Sequence, residues 1–229
     1  MLEQLSDRVY RWVEVHGAAR GEPYPWNSYA VHIPECEALA LIDPLAMAEG
    51  EALALQRLCR PSHIVLTCEY HLREGEQYRK RWGSTLLAND VERERYSTTP
   101  DGWFSDGDTL LETIRCVLVP GGFYPETALL VQGGPTVLII GDILSGARCD
   151  AGISDGELGI AFPEYVPDLS SIRRSLERLS GLEFDVLCFG HGEPVRRQPR
   201  KKLMELCESD EVWARLEELK EERGPKEAE

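Results

Sequence analysis

Apolar and polar positions alternate along 8–15 (RVYRWVEV), a pattern that predicts a half-buried strand, and apolar runs at 27–33 and 37–42 add two more. Segment 48–58 has helical spacing. It is followed by Pro61 and by HIVLT (63–67), an apolar run of the fully buried kind. A charged helix is expected over 72–82, stopped by Gly83, and a strand over 84–88. The second half begins with a polar loop over 89–102. A turn at Asp106–Gly107 and a strand, ETIRCVLV, come next. Segments 127–132 and 136–140 flank Gly133–Gly134, a hairpin signal. A long Gly- and Pro-containing loop covers 144–167. A helix over 169–179 has Asp168 near its N-cap, 184–189 reads as a buried strand, and one amphipathic helix is expected over 199–222. Strands and helices are mixed in both halves. The expectation is an α/β sandwich with two mixed sheets inside and helices outside, one domain over 1–222 and a frayed tail at 223–229.

Composition narrows the function. The 229 residues carry 40 acidic and 25 basic side chains, a formal charge of −15. Such a surface repels polyanions, so nucleic acid is not an expected partner. The basic stretch Arg196, Arg197, Arg200, Lys201 and Lys202 reads as solvated. No apolar run reaches the length of a membrane span, and the N-terminus has no signal-peptide pattern. Seven scattered cysteines with no CxxC pair suit neither a disulfide framework nor a zinc ribbon. They point to a reducing, cytoplasmic setting. No phosphate-loop motif is present.

Several fragments then fall into one order: NSYAVHIPECEALALIDP, HIVLTCEYHLREGEQYRKRWG, FSDGDTL, VPGGFYPETALLV with VLIIGDIL, and FDVLCFGHGEPV. In that order and spacing the chain resembles the metallo-β-lactamase superfamily, including its glyoxalase II-like thioesterases, over about residues 8–200. The resemblance implies a four-layer αβ/βα sandwich. It also implies two zinc or iron ions held by an HxHxDH loop, a His after a Pro-Gly turn, an Asp after Gly, and a His in Gly-His-Gly. Such ions acidify water for attack on a carbonyl.

Matched residue by residue, most of those ligand positions have changed. The HxHxDH loop places Cys68, Tyr70, Leu72 and Arg73 at its four ligands, and Gly122 follows Pro120–Gly121; only Asp142 and His191 match. His71 falls between motif positions, and His16, His32 and His63 lie off these loops. The expectation is a member without the two-metal hydrolase centre, expected to carry no cofactor and to bind a small molecule or act as a scaffold. Arg73 and His191 are expected to pair with Asp142 where metal would sit, in a cleft that includes Tyr70, Arg73 and Gly122. The alternative is a hydrolase of an ester, thioester or lactone with an atypical single-metal or metal-free site. In it Cys68, Asp142 and His191 hold zinc or iron, with Glu69 or His71 close enough to lend a fourth ligand. Cys68 beside His191 would also suit a nucleophile–base pair. Trp26, Trp103 and Phe123 are further wall candidates, Asp106 and Asp108 read as turn residues, and the last helix packs on its own domain or against a second copy.

Overall fold

The computed structural model describes residues 2–224. A seven-stranded sheet runs in chain order: β1 (Glu3–Gln4), β2 (Val9–His16), β3 (Tyr24–Ile33), β4 (Ala38–Ile42), β5 (His63–Val65), β6 (Thr85–Asn89) and β7 (Gly102–Phe104). Its first four strands are antiparallel neighbours; β4 to β7 pair in parallel through the crossover helices α1 (Glu49–Leu58) and α2 (Gly75–Trp82) and the segment before β7. The second sheet is built from β8 (Thr109–Leu110), β9 (Ile114–Val119), β10 (Glu126–Val131), β11 (Val137–Ile139) and β12 (Val186–Cys188), in the order β12-β11-β10-β9-β8. The hairpin expected at Gly133–Gly134 is the antiparallel β10–β11 pair. Helix α3 (Leu169–Ser180) makes the crossover to β12, and α4 (Pro199–Glu208) and α5 (Asp210–Arg223) follow.

Strand periodicity assembles the layers. In β4, Ala38, Ala40 and Ile42 face the second sheet, while Leu39 and Leu41 face α1 and α2. In β10 and β11, Leu129, Val131, Val137 and Ile139 return that contact, and Ala128, Leu130 and Leu138 pack outward among the residues of α3 and α4. The result is the expected four-layer α–β–β–α sandwich.

Three differences from the sequence reading have local causes. The helix expected over 72–82 starts at Gly75, because Glu69–Leu72 forms a 3-10 turn and Arg73 takes a positive φ of 41°. The last helix is two: Ser209 leaves helical geometry and its side chain accepts a hydrogen bond from Val212 N at 3.3 Å, starting α5 afresh. Leu203, Leu206, Trp213 and Leu216 of that pair are buried in the chain's own core. The short strands β1, β7 and β8 carry too few residues for a period to show. Of the expected tail, 225–229 lies outside the described residues.

The tip of each half is tied to the other. Asn27 Nδ2 donates to the Phe189 and Gly192 carbonyls at 2.9 and 2.7 Å, and the Tyr29 hydroxyl donates to Phe189 O at 2.6 Å. Backbone bonds from Asn27 N to Gly190 O and from Gly192 N to Pro25 O complete the seam. These bonds hold the loop after β12 against β3, at the edge where β4, β5, β11 and β12 all end.

Candidate functional site

Four strand ends meet at this edge. Asp43 follows β4 with φ 48°, a left-handed conformation that Asp tolerates better than most residues. Its buried carboxylate accepts Thr67 N at 2.8 Å and Thr67 Oγ1 at 2.6 Å, and lies 2.9 Å from His71 Nδ1. Because a carboxylate only accepts, Nδ1 carries the proton and Nε2 of a neutral ring presents a lone pair. The 3-10 turn after Cys68 brings that ring inward, and His71 is 1% exposed.

Nε2 of His71 sits 3.1 Å from Asp142 Oδ2, yet makes no hydrogen bond among the described residues. Asp142, after β11, is 36% exposed to the cleft, and its other oxygen lies 3.0 Å from His191 Nε2. Two acceptors face each other across 3.1 Å, which calls for positive charge between them: a second proton on His71, or a metal ion. The pKa directions report the same demand. Burial and Arg73 disfavour charge on His71, but Asp142, Cys68 and Asp43 outweigh them and raise its pKa well above the imidazole range. Burial opposes charge on Asp142, and His71 and His191 reverse that, holding it well below the carboxylate range. His191 is lowered by burial, partly offset by Asp142.

One donor atom each from His71, Asp142 and His191 lies within 4.8 Å of the others. Two imidazoles and a carboxylate suit zinc or iron at one position. Asp43 behind His71 is the partner that orients a ligating imidazole. The donors fit one ion. A second has no comparable set at the replaced positions. Cys68 is buried with its thiol pushed up to about 12, chiefly by desolvation, and it stands outside the three-donor cluster. Tyr70 is exposed and stacks on Tyr124, and Leu72 and Gly122 carry no ligand atom.

Arg73 is not where the sequence reading put it. Its Nη1 donates to the carbonyls of Asn27 and Asp43 at 2.8 and 3.1 Å, and its guanidinium lies 5.5 Å from the Trp26 ring centre. The positive φ at Arg73 turns its side chain toward the Asn27 and Asp43 carbonyls, and His71 takes the place beside Asp142. The sequence offers His71 only as a possible fourth ligand, and it does not mark Asp43 as a site residue. The Thr67–His71 spacing of four and the Asp that ends β4 were the available signals.

Glu126 opens β10 and accepts Asp142 N at 2.7 Å and Ile143 N at 3.3 Å. Desolvation, then Asp142, pushes its carboxyl up to about 8. Above these groups is a cleft of about 730 Å³, which Tyr70, Gly122, Cys68, Trp26 and Phe123 help to line. Arg73 is not among its lining residues. Trp103 is elsewhere, against Tyr96 and Arg93. Asp106 and Asp108 accept Leu118 N and Ser105 N in the turn before β9. His16 stacks on Trp26, behind the cleft wall. The basic stretch is largely neutralised: Arg196 pairs with Glu3, Arg200 with Glu183, Lys201 with Glu205 and Lys202 with Glu157. No helix among the described residues is long and apolar enough to cross a membrane.

The comparisons agree with this fold. The family profile described as metallo-beta-lactamase superfamily matches residues 6–210. Among curated proteins, none matches the chain. A metallo-beta-lactamase from Pontibacter korlensis superposes with a TM-score of 0.69 at 14% identity, over 92% of this chain and 99% of that one. One from Hirschia baltica gives 0.66 at 13% identity, over 90% and 97%. A flavo di-iron protein variant from Thermotoga maritima gives 0.61 at 18% identity, over 89% of this chain and 62% of that one. At these identities the structures share the fold.

Proposed function

Because the chain belongs to the metallo-β-lactamase superfamily, we propose that it is a member without the two-metal centre that keeps a single metal position, and that it hydrolyses a small ester, thioester or lactone. The observation that carries this reading is the cluster itself: one donor atom each of buried His71, Asp142 and His191 lies within 4.8 Å of the others, with His71 Nε2 and His191 Nε2 both facing the Asp142 carboxylate. His71, Asp142 and His191 would hold a zinc or iron ion, which when bound supplies Lewis acidity to a carbonyl and to water.

The chain's own residues divide the remaining work. Asp43 and Thr67 fix the tautomer and rotation of His71. Glu126 holds the backbone at Asp142 and so aims its carboxylate. The Asn27 and Tyr29 bonds to the loop after β12 hold His191 in register. The cleft receives a small molecule and its aromatic walls limit bulk water around the reacting carbonyl. Nucleic acid remains an unsuitable partner at a net charge of −15.

A second reading, ligand binding without turnover, draws support from the replaced donors Tyr70, Leu72, Arg73 and Gly122. One experiment separates the two. Purified untagged protein is assayed for zinc, iron and manganese by plasma mass spectrometry, then for hydrolysis of 4-nitrophenyl acetate, a simple acyl thioester and a γ-lactone. About one equivalent of metal, with turnover lost in Asp142→Ala, is the expected result. One equivalent without turnover of any of the three supports the binding role. Metal below about a tenth of an equivalent sinks the metal position, and two equivalents overturn the loss of the second.

A further inference from the structure

The walls of the cleft hold ring faces where its floor holds ligating atoms. On one side Tyr70 and Tyr124 stack, centres 5.5 Å apart at 22°, and Phe123 meets Tyr124 edge-on at 5.0 Å. On the other, Tyr24 and Phe162 enclose the Arg148 guanidinium at 4.0 and 5.0 Å. That cation is already matched: Asp150 accepts from its Nε and Nη2 at 2.8 and 2.6 Å. Arg148 is therefore neutralised within the protein, whereas the Arg95 guanidinium lies over the Phe123 and Tyr124 rings at 5.6 and 5.3 Å and adds a cation to that ring group.

Tyrosine rings left to water around a concavity of about 730 Å³ are the signature of a surface that a ligand covers, since isolated exposed rings need no such arrangement. Tyr70 is 57% exposed although its ring is already stacked, so its outer face is open to a second ring. We propose that the cleft selects a ligand bearing a flat aromatic group, which packs on the open face of Tyr70 and against the other rings of the lining, Tyr124 and Phe162 among them. The placement of its carbonyl over His71, Asp142 and His191 rests on the hydrolase reading above; the aromatic selectivity does not. The substrate class is then an aryl or aryl-acyl ester, thioester or lactone rather than a saturated one. Offset stacking and edge contacts between ligand and wall supply the preference over an aliphatic group of equal size.

The test is binding by the metal-free protein, read by isothermal titration. The probes are N-methyl-2-naphthamide and its saturated counterpart N-methyldecahydronaphthalene-2-carboxamide. The naphthamide should bind about tenfold tighter than the saturated amide. Tyr124→Ala and Phe162→Ala should each weaken it roughly five- to tenfold, while Tyr124→Phe, which keeps the ring, retains it. Equal affinity for the saturated amide overturns the aromatic preference, as does unchanged affinity in both alanine variants. Zinc uptake is measured separately on the same samples. Naphthamide binding without zinc uptake would refute the metal position alone, and zinc uptake without the naphthamide preference would refute this inference alone.

Discussion

Asp43 Oδ2 lies 2.9 Å from Nδ1 of His71, 28 residues further along the chain, and turns the opposite nitrogen of that ring toward Asp142. Asp43 directly follows β4, and His71 lies in the 3-10 turn beyond the neighbouring parallel strand β5, so the strand pairing brings the two segments together and the turn makes the contact.

Removing the charge but not the shape of that partner isolates its role. Asp43→Asn keeps a residue that tolerates the left-handed backbone and loses the carboxylate behind the imidazole. Zinc affinity, read by competition with a chromogenic chelator, should fall about 10–100-fold. Unchanged affinity would mean that His71 is not a ligand.

Arg73 makes the opposite prediction. Its Nη1 bonds two carbonyls, so Arg73→Ala should destabilise the fold by roughly 1–3 kcal/mol in urea unfolding. Metal stoichiometry should not change. A loss of metal in a folded Arg73→Ala protein would return Arg73 to the site.

The seam between the halves is testable through Tyr29. Its hydroxyl accepts Phe189 N at 3.1 Å and donates to Phe189 O, in the interior. Tyr29→Phe leaves that N–H without its acceptor and should cost about 1–3 kcal/mol. Asn27→Ala removes two bonds to the same loop and should also weaken zinc binding, because His191 lies between the two carbonyls that Asn27 holds. A stability loss with undiminished zinc affinity in Asn27→Ala would separate the seam from the site.

Glu126 sets a pH dependence in chelator-treated protein. Its folded pKa of about 8 lies above the ordinary 4.5, so the native state binds the extra proton between those values. Its contribution to stability is fully present below about pH 4.5 and is lost as pH rises through about 8. Glu126→Gln removes this titration. The stability of the native protein relative to the variant should therefore fall with pH across that window, by urea unfolding at fixed ionic strength. A flat difference would mean that Glu126 is ionised throughout.

Much of the architecture was legible in the chain because strand burial has a period of two. Leu39 and Leu41 against Ala38, Ala40 and Ile42 already distinguish the two faces of β4, and Gly133–Gly134 marks the β10–β11 hairpin. Asp168 announces α3 by accepting Ser171 N. The helix break at Ser209 was hidden because the apolar spacing continues through it.

The sequence by itself determined the layered fold, the replacement of ligand residues along the 68–73 loop and at Gly122, and the survival of Asp142 and His191. Those depend on residue type and order, which local periodicity and motif spacing carry. Only the tertiary structure decided which side chain stands beside Asp142. A linear match assigns that place by position in the loop and puts Arg73 there. The backbone assigns it by direction: the 3-10 turn aims His71 inward onto Asp43 and Thr67, and the positive φ at Arg73 sends the guanidinium to the Asn27 and Asp43 carbonyls. Side-chain direction in an irregular loop follows from contacts with strands far away in sequence, and spacing along the chain does not encode it.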